Sequence, residues 1–164
     1  MRRVAIVCKP QKEELARILP ELIAWLRQRG YEPLLDHEAG EYTDAAESVD
    51  RCDMPLYKPE LIIVLGGDGT LLSVGRIFAA TGTPILSVNL GFLGFLTEVR
   101  LGDLYATLDS WCRNCHTLDA RAMLHAGLWR QGELHSAYEA VNDIVVTKGE
   151  IARMGEFTVE LDGR

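Results

Sequence analysis

A parallel α/β domain followed by a β-rich segment is the fold class that this 164-residue sequence predicts. Three observations carry it. Short continuous apolar runs alternate with runs whose apolar residues recur at helical spacing, the pattern of a buried parallel sheet with crossover helices. The run Leu61-Ile-Ile-Val-Leu65 leads straight into Gly66-Gly67-Asp68-Gly69-Thr70, and a glycine turn after a buried strand lies on the edge where open α/β sheets bind ligands. Beyond about residue 117 the helical spacing gives way to alternation.

In chain order, residues 4–8 form a buried strand closed by Pro10. A helix follows: Leu15, Ile18, Leu19, Leu22, Ile23 and Leu26 share one face, charges occupy the other, and Gly30 stands at the C-terminal stop. Pro20 inside this pattern predicts a kink or a restart. Residues 31–35 complete a strand-helix-strand unit. The acidic stretch 37–59, with Gly40, Pro55 and Pro59, reads as a mobile surface loop with at most a short helix over 44–49. Residues 61–65 are the clearest buried strand, residues 71–80 a helix, 84–88 a strand, 89–98 a glycine- and aromatic-bearing loop, and 101–111 an amphipathic helix. After the boundary near residue 117, alternation over 120–128 precedes a turn at 131–133, and 144–146 and 157–161 read as further strands. The pair Asp162-Gly163 is expected to open a hairpin whose second strand lies beyond Arg164.

Composition narrows the function. A formal net charge of −7 and a pI near 5.1 leave no broad basic face, which argues against nucleic acid and anionic membrane as partners. Small anions remain possible where positive charge is local. The N-terminal apolar run is too short for an export signal, no apolar stretch approaches a membrane span, and four unevenly spaced cysteines make no disulfide framework, so a cytoplasmic protein is expected. Cys112-Arg-Asn-Cys115-His116 fits a haem-attachment pattern and half of a zinc site. Without an export signal or an evident second ligand pair, no metal ligand is assigned here.

The chemistry is expected at residues 66–70. Glycines let backbone amides approach phosphate oxygens, and the N-terminus of the next helix favours the anion. A carboxylate at Asp68 beside a phosphate would be repelled unless it accepted a proton from an attacking hydroxyl or bound a magnesium-coordinated water. Taken alone, Asp68 and Thr70 would also fit a turn that caps a helix, Asn142-Asp143 a turn entering a strand, and Phe92 and Phe95 core aromatics. The string has no Gly-Lys-Ser/Thr ending and no G-x-G-x-x-G spacing.

Gly66-Gly-Asp-Gly-Thr70 after a strand resembles the superfamily of NAD kinases, diacylglycerol and sphingosine lipid kinases, and 6-phosphofructokinases. Asn89-Leu-Gly-Phe-Leu-Gly-Phe-Leu-Thr-Glu98, Glu139-Ala-Val-Asn-Asp-Ile-Val-Val146 and Ile151-Ala-Arg-Met154 narrow the resemblance to the NAD kinases. It implies a Rossmann-like nucleotide-binding domain over 1–117 and the first strands of a β-sandwich-like NAD-binding domain over 118–164. The implied reaction is transfer of the γ-phosphoryl group of ATP, or of polyphosphate in some members, to the 2′-hydroxyl of the adenosine ribose of NAD, with Mg²⁺ on the donor. Asp68 would be the general base, Gly69 would contact NAD, and Gly66, Gly67 and Thr70 would hold the phosphate donor. Asn142 and Asp143, the latter where the family often has Glu, would bind the adenosine, with Arg153 supplying positive charge and Phe95 packing near the adenine. The resemblance also implies a homo-oligomer, dimer or tetramer, for the complete protein. A non-catalytic nucleotide-binding fragment and a diacylglycerol-kinase-like lipid kinase are the alternatives.

Overall fold

The computed structural model describes residues 2–91, 94–147 and 156–163. Six parallel strands form the main sheet: β1 (Arg2–Cys8), β2 (Tyr31–Asp36), β3 (Glu47–Val49), β4 (Leu61–Gly66), β5 (Ile85–Asn89) and β6 (Val99–Arg100), in the order β3-β2-β1-β4-β5-β6. This is the doubly wound order, whose direction reverses between β1 and β4.

The sheet is covered on both faces because residues 4–8 of β1 and 61–65 of β4 are apolar at every position and buried. Val4, Ile6 and Cys8 of β1 and Leu61, Ile63 and Leu65 of β4 pack with the buried face of α1 (Leu15–Gln28). Leu104 and Leu108 of α4 (Leu104–Cys112) join the same cluster. The alternate residues Ala5, Val7, Ile62 and Val64 meet Val74 and Phe78 of α3 (Asp68–Phe78) on the other face. Pro20 neither breaks nor restarts α1, which runs unbroken from Leu15 to Gln28 and closes with Gly30 at a φ of +80°. Only one intrahelical bond, the one its missing N–H would have made to Ala16, is forgone.

Three expectations are corrected. The stretch 37–59 is not a loop: it holds α2 (His37–Gly40), the edge strand β3 and a 3-10 turn over Met54–Tyr57, with Ala39 and Met54 fully buried. The backbone of Leu34–Asp36 recruits Glu47–Val49 as a strand, a pairing that outweighs local helix preference. Helix α3 begins at Asp68, so the Asp68-Gly69-Thr70 portion of the turn is its first turn. The 144–146 and 157–161 runs carry exposed Ile144, Val145, Val146, Phe157, Val159 and Leu161 and pair with no strand among the described residues. A strand exists only where a neighbour takes up its backbone hydrogen bonds.

The alternation after residue 117 resolves into an antiparallel hairpin, β7 (Leu124–Arg130) and β8 (Glu133–Ala140), joined by Gln131-Gly132. Both turn residues have positive φ, 52° and 84°, the geometry of a tight two-residue hairpin. No helix among the described residues is long and apolar enough to cross a membrane.

Candidate active site

Strands β1 and β4 pair in register, Cys8 opposite Leu65, and both chains leave the sheet at its carboxyl edge, where Lys9 N–H donates to the Leu65 carbonyl at 2.9 Å. The direction reversal of the sheet opens a crevice there. Gly66 ends β4, Gly67 is the N-cap of α3, and Asp68, Gly69 and Thr70 follow in the helix. A side chain built at Gly67 or Gly69 would meet nothing within 4 Å, so no packing inside the chain demands glycine at either position. The room lies where a ligand can approach the first amides of α3, which have no intrahelical acceptor.

Asp68 does not cap its own helix. Its carboxylate turns to the loop after β5, where Oδ2 accepts from Phe95 N–H at 2.9 Å and Oδ1 accepts from Leu96 N–H at 3.2 Å, Thr97 N–H at 3.1 Å and the Thr97 hydroxyl at 3.0 Å. Desolvation works against the charge, but the Thr97 hydroxyl and the amides of Leu96, Phe95 and Thr97 outweigh it and hold the carboxyl below its usual range. Asp68 is therefore ionised at neutral pH.

The loop reaches Asp68 because residue 94 is glycine. A Cβ there would collide with Asp68 Oδ1 and stand 2.6 Å from Thr97 Oγ1 and 2.7 Å from Asp68 Cγ. Behind the loop, the buried Asn89 Nδ2 donates to Thr97 Oγ1 at 2.8 Å, while Asn89 Oδ1 accepts from Gly91 N–H at 2.8 Å. Sequence reasoning missed Thr97 and Asn89. Their signal was the pairing of the two polar side chains with the glycines of residues 89–98.

Phe95 is 97% exposed, which removes the core-aromatic alternative for it, and its backbone amide donates to the Asp68 carboxylate. Asn142 and Asp143 follow β8 and are exposed. The hairpin meets α3 close by: a Cβ at Gly75 would lie 2.9 Å from Val141 Cγ2. Arg153 and Phe92 lie outside the described residues.

A second polar cluster sits at the same sheet edge. Asp36, fully buried at the end of β2, accepts from Arg51 Nη2 at 2.6 Å and from the amides of Cys8 and Ala39, while Arg51 also reaches Glu38 and donates to Ser73 of α3 at 3.1 Å. Burial pushes the Asp36 carboxyl up to about 6, against the hydrogen bonds from Arg51 and Ala39 that lower it. Among the described residues no three His, Cys, Asp or Glu side chains converge as a metal site. His116 stacks on Trp111 at 4.4 Å, and His125 pairs with Glu139 at 2.6 Å across the hairpin.

Residues 4–114 match the model of the ATP-NAD kinase N-terminal domain. The NAD kinase of Acidobacterium capsulatum is 60% identical over 99% of this chain, and that of Koribacter versatilis 48% identical over all of it. The chain spans 57% and 58% of the lengths of those two proteins. Among solved structures, yeast NADH kinase complexed with NADH superposes with a TM-score of 0.71 at 19% identity, covering 87% of this chain and 47% of that one. An NAD kinase from Archaeoglobus fulgidus in complex with ATP gives 0.54 at 18% identity, covering 76% and 42%. These two likenesses are of fold. With a family model matching most of its length and a glycine turn and carboxylate set at the reversal point of its sheet, this chain belongs to the ATP-NAD kinase family.

Proposed function

We propose that the complete protein is an NAD kinase, which transfers the γ-phosphoryl group of ATP to the 2′-hydroxyl of the adenosine ribose of NAD and yields NADP. The observation that carries this reading is the ionised Asp68 carboxylate in the first turn of α3, at the carboxyl edge of the parallel sheet, with Oδ2 taking a single donor among the described residues. In this reading Gly66, Gly67 and Thr70 hold the donor phosphates and Gly69 contacts NAD. Asp68 orients the hydroxyl and takes its proton. A carboxylate of lowered pKa is a weak base toward an alcohol at rest, so the proton moves late, once the oxygen has begun to bond to phosphorus.

Phe95 offers an exposed face for the adenine, Asn142 and Asp143 bind the adenosine, and Arg153 supplies positive charge to the dinucleotide. The residues at the turn fit Mg²⁺ in one respect: Asp68 Oδ2 is a hard oxygen donor, so the ion would be held chiefly by the ATP phosphates with Asp68 reached through water. Bound there, Mg²⁺ neutralises charge on the donor. A cytoplasmic setting suits the four unbridged cysteines. The exposed apolar residues of the hairpin, Leu128, Trp129, Leu134 and Tyr138, support a dimer or tetramer built through the second domain.

The test is NADP formation from NAD, ATP and Mg²⁺ by the full-length protein and by this 164-residue chain, each with Asp68 intact and as Asp68→Asn. The full-length enzyme is expected to turn over, and Asp68→Asn to lose roughly 10²- to 10⁴-fold, the usual contribution of a general base. Because Asn also presents an amide to Phe95 N–H, NAD binding is measured by calorimetry alongside. Lost turnover with retained binding supports the base; a full-length protein that binds nucleotide and makes no NADP returns the non-catalytic or lipid-kinase alternative.

A further inference from the structure

Among the described residues the hydrogen bonds behind Asp68 form a directed chain. Gly91 N–H can only donate, so the oxygen of the Asn89 amide faces it and the nitrogen faces Thr97. Thr97 Oγ1 then accepts from Asn89 Nδ2 at 2.8 Å and from Gly94 N–H at 3.2 Å, which fills its lone pairs. Its one proton is left for Asp68 Oδ1, 3.0 Å away. Thr97 is fully buried and Asn89 nearly so, which shields the relay from competing water.

Among the described residues Oδ1 thus faces three donors and has no room for a proton of its own, while Oδ2 faces one. The geometry points to Thr97, oriented by Asn89, as the positioning residue that saturates Oδ1 and reserves Oδ2 of Asp68 for the proton of the acceptor hydroxyl. In that step the hydroxyl O–H bond breaks, its proton goes to Oδ2, and the oxygen's electron pair forms the bond to the transferred phosphorus as the ADP oxygen leaves. The inference rests on Asp68 being the base of the kinase reaction. It adds the choice of oxygen and the groups that enforce the choice.

The experiment uses the full-length enzyme with Thr97→Val, which keeps the shape and removes the hydroxyl, Thr97→Ser, which restores it, and Asn89→Ser, which acts from behind without touching the carboxylate. The readouts are kcat, KM for NAD and ATP, and the titration midpoint of the Asp68 carboxyl by ¹³C NMR, assigned by its loss in Asp68→Asn. Thr97→Val is expected to lower kcat roughly 10- to 100-fold, the range of a hydrogen bond to a charged group, with both KM values within about twofold. The midpoint rises, since a donor to the charged form has gone. Thr97→Ser recovers both, and Asn89→Ser moves both in the same direction by less. An unmoved midpoint in Thr97→Val overturns the inference, as does a fall in kcat that Thr97→Ser does not repair. If Thr97→Val fails to fold, unchanged kcat and midpoint in Asn89→Ser overturn it. A wild-type enzyme that makes no NADP overturns the kinase reading instead, and the midpoint still decides whether Thr97 governs the carboxylate.

Discussion

Gly94 shows how one missing carbon positions a carboxylate. Any Cβ there would collide with the Asp68 carboxylate and the Thr97 hydroxyl, so Gly94→Ala must lift the loop and strip donors from Asp68. The expected result is a fall in NADP formation of roughly 10-fold or more, since each lost bond to a charged group costs about 1.5–3 kcal/mol, with nucleotide still bound to the glycine turn. Steady-state kinetics beside ATP binding separates the two effects. The place of Asp68 at the sheet edge was legible in the sequence because a buried strand ends in its turn. Thr97 and Asn89 were not. A Thr and an Asn eight positions apart meet only once the loop has folded back over α3, and neither type signals a partner by itself.

At the scale of elements, the segment from α2 to the 3-10 turn at Met54 is held down by the Arg51–Asp36 ion pair. Arg51→Met leaves a buried carboxylate without its cation and is expected to cost about 3 kcal/mol at pH 7, read from urea unfolding. The sign with pH is set by the raised pKa of Asp36. Its native carboxyl binds a proton more tightly than the unfolded chain does, so its contribution to stability falls as pH rises from about 4 through about 6. Unfolding midpoints of the wild type relative to Asp36→Asn are expected to decline across that window and to level off above it. Strands β1 and β4 could be read from their apolar runs, because the stretch of a strand that is buried on both faces is apolar by default. The 37–59 region could not. Its order comes from Arg51 reaching back to Asp36 and from β3 completing the backbone of β2, neither of which leaves a periodic trace.

For the whole molecule, a close approach links the sheet domain to the segment that leaves the hairpin: Val141 stands against Gly75 in α3. In an isolated helix Gly→Ala gains about 1 kcal/mol, but here the added methyl meets Val141 Cγ2 at 2.9 Å. Gly75→Ala is therefore expected to raise KM for NAD several-fold by shifting Asn142 and Asp143, with KM for ATP unchanged, and Val141→Ala in the same protein to restore it. Additive effects of the two changes would mean that the contact does not set the position of those residues.

The placement of β1 has a consequence in time. It precedes both of its partners in the chain and stands between them; β2 follows soon while β4 begins only at Leu61. At roughly 5–20 residues per second, the ribosome leaves the second edge of a strand that is apolar from Val4 to Cys8 unpaired for several seconds before β4 arrives. A nascent chain arrested before Leu61 should therefore engage chaperones or its own copies along that edge, and one arrested after Gly66 should not.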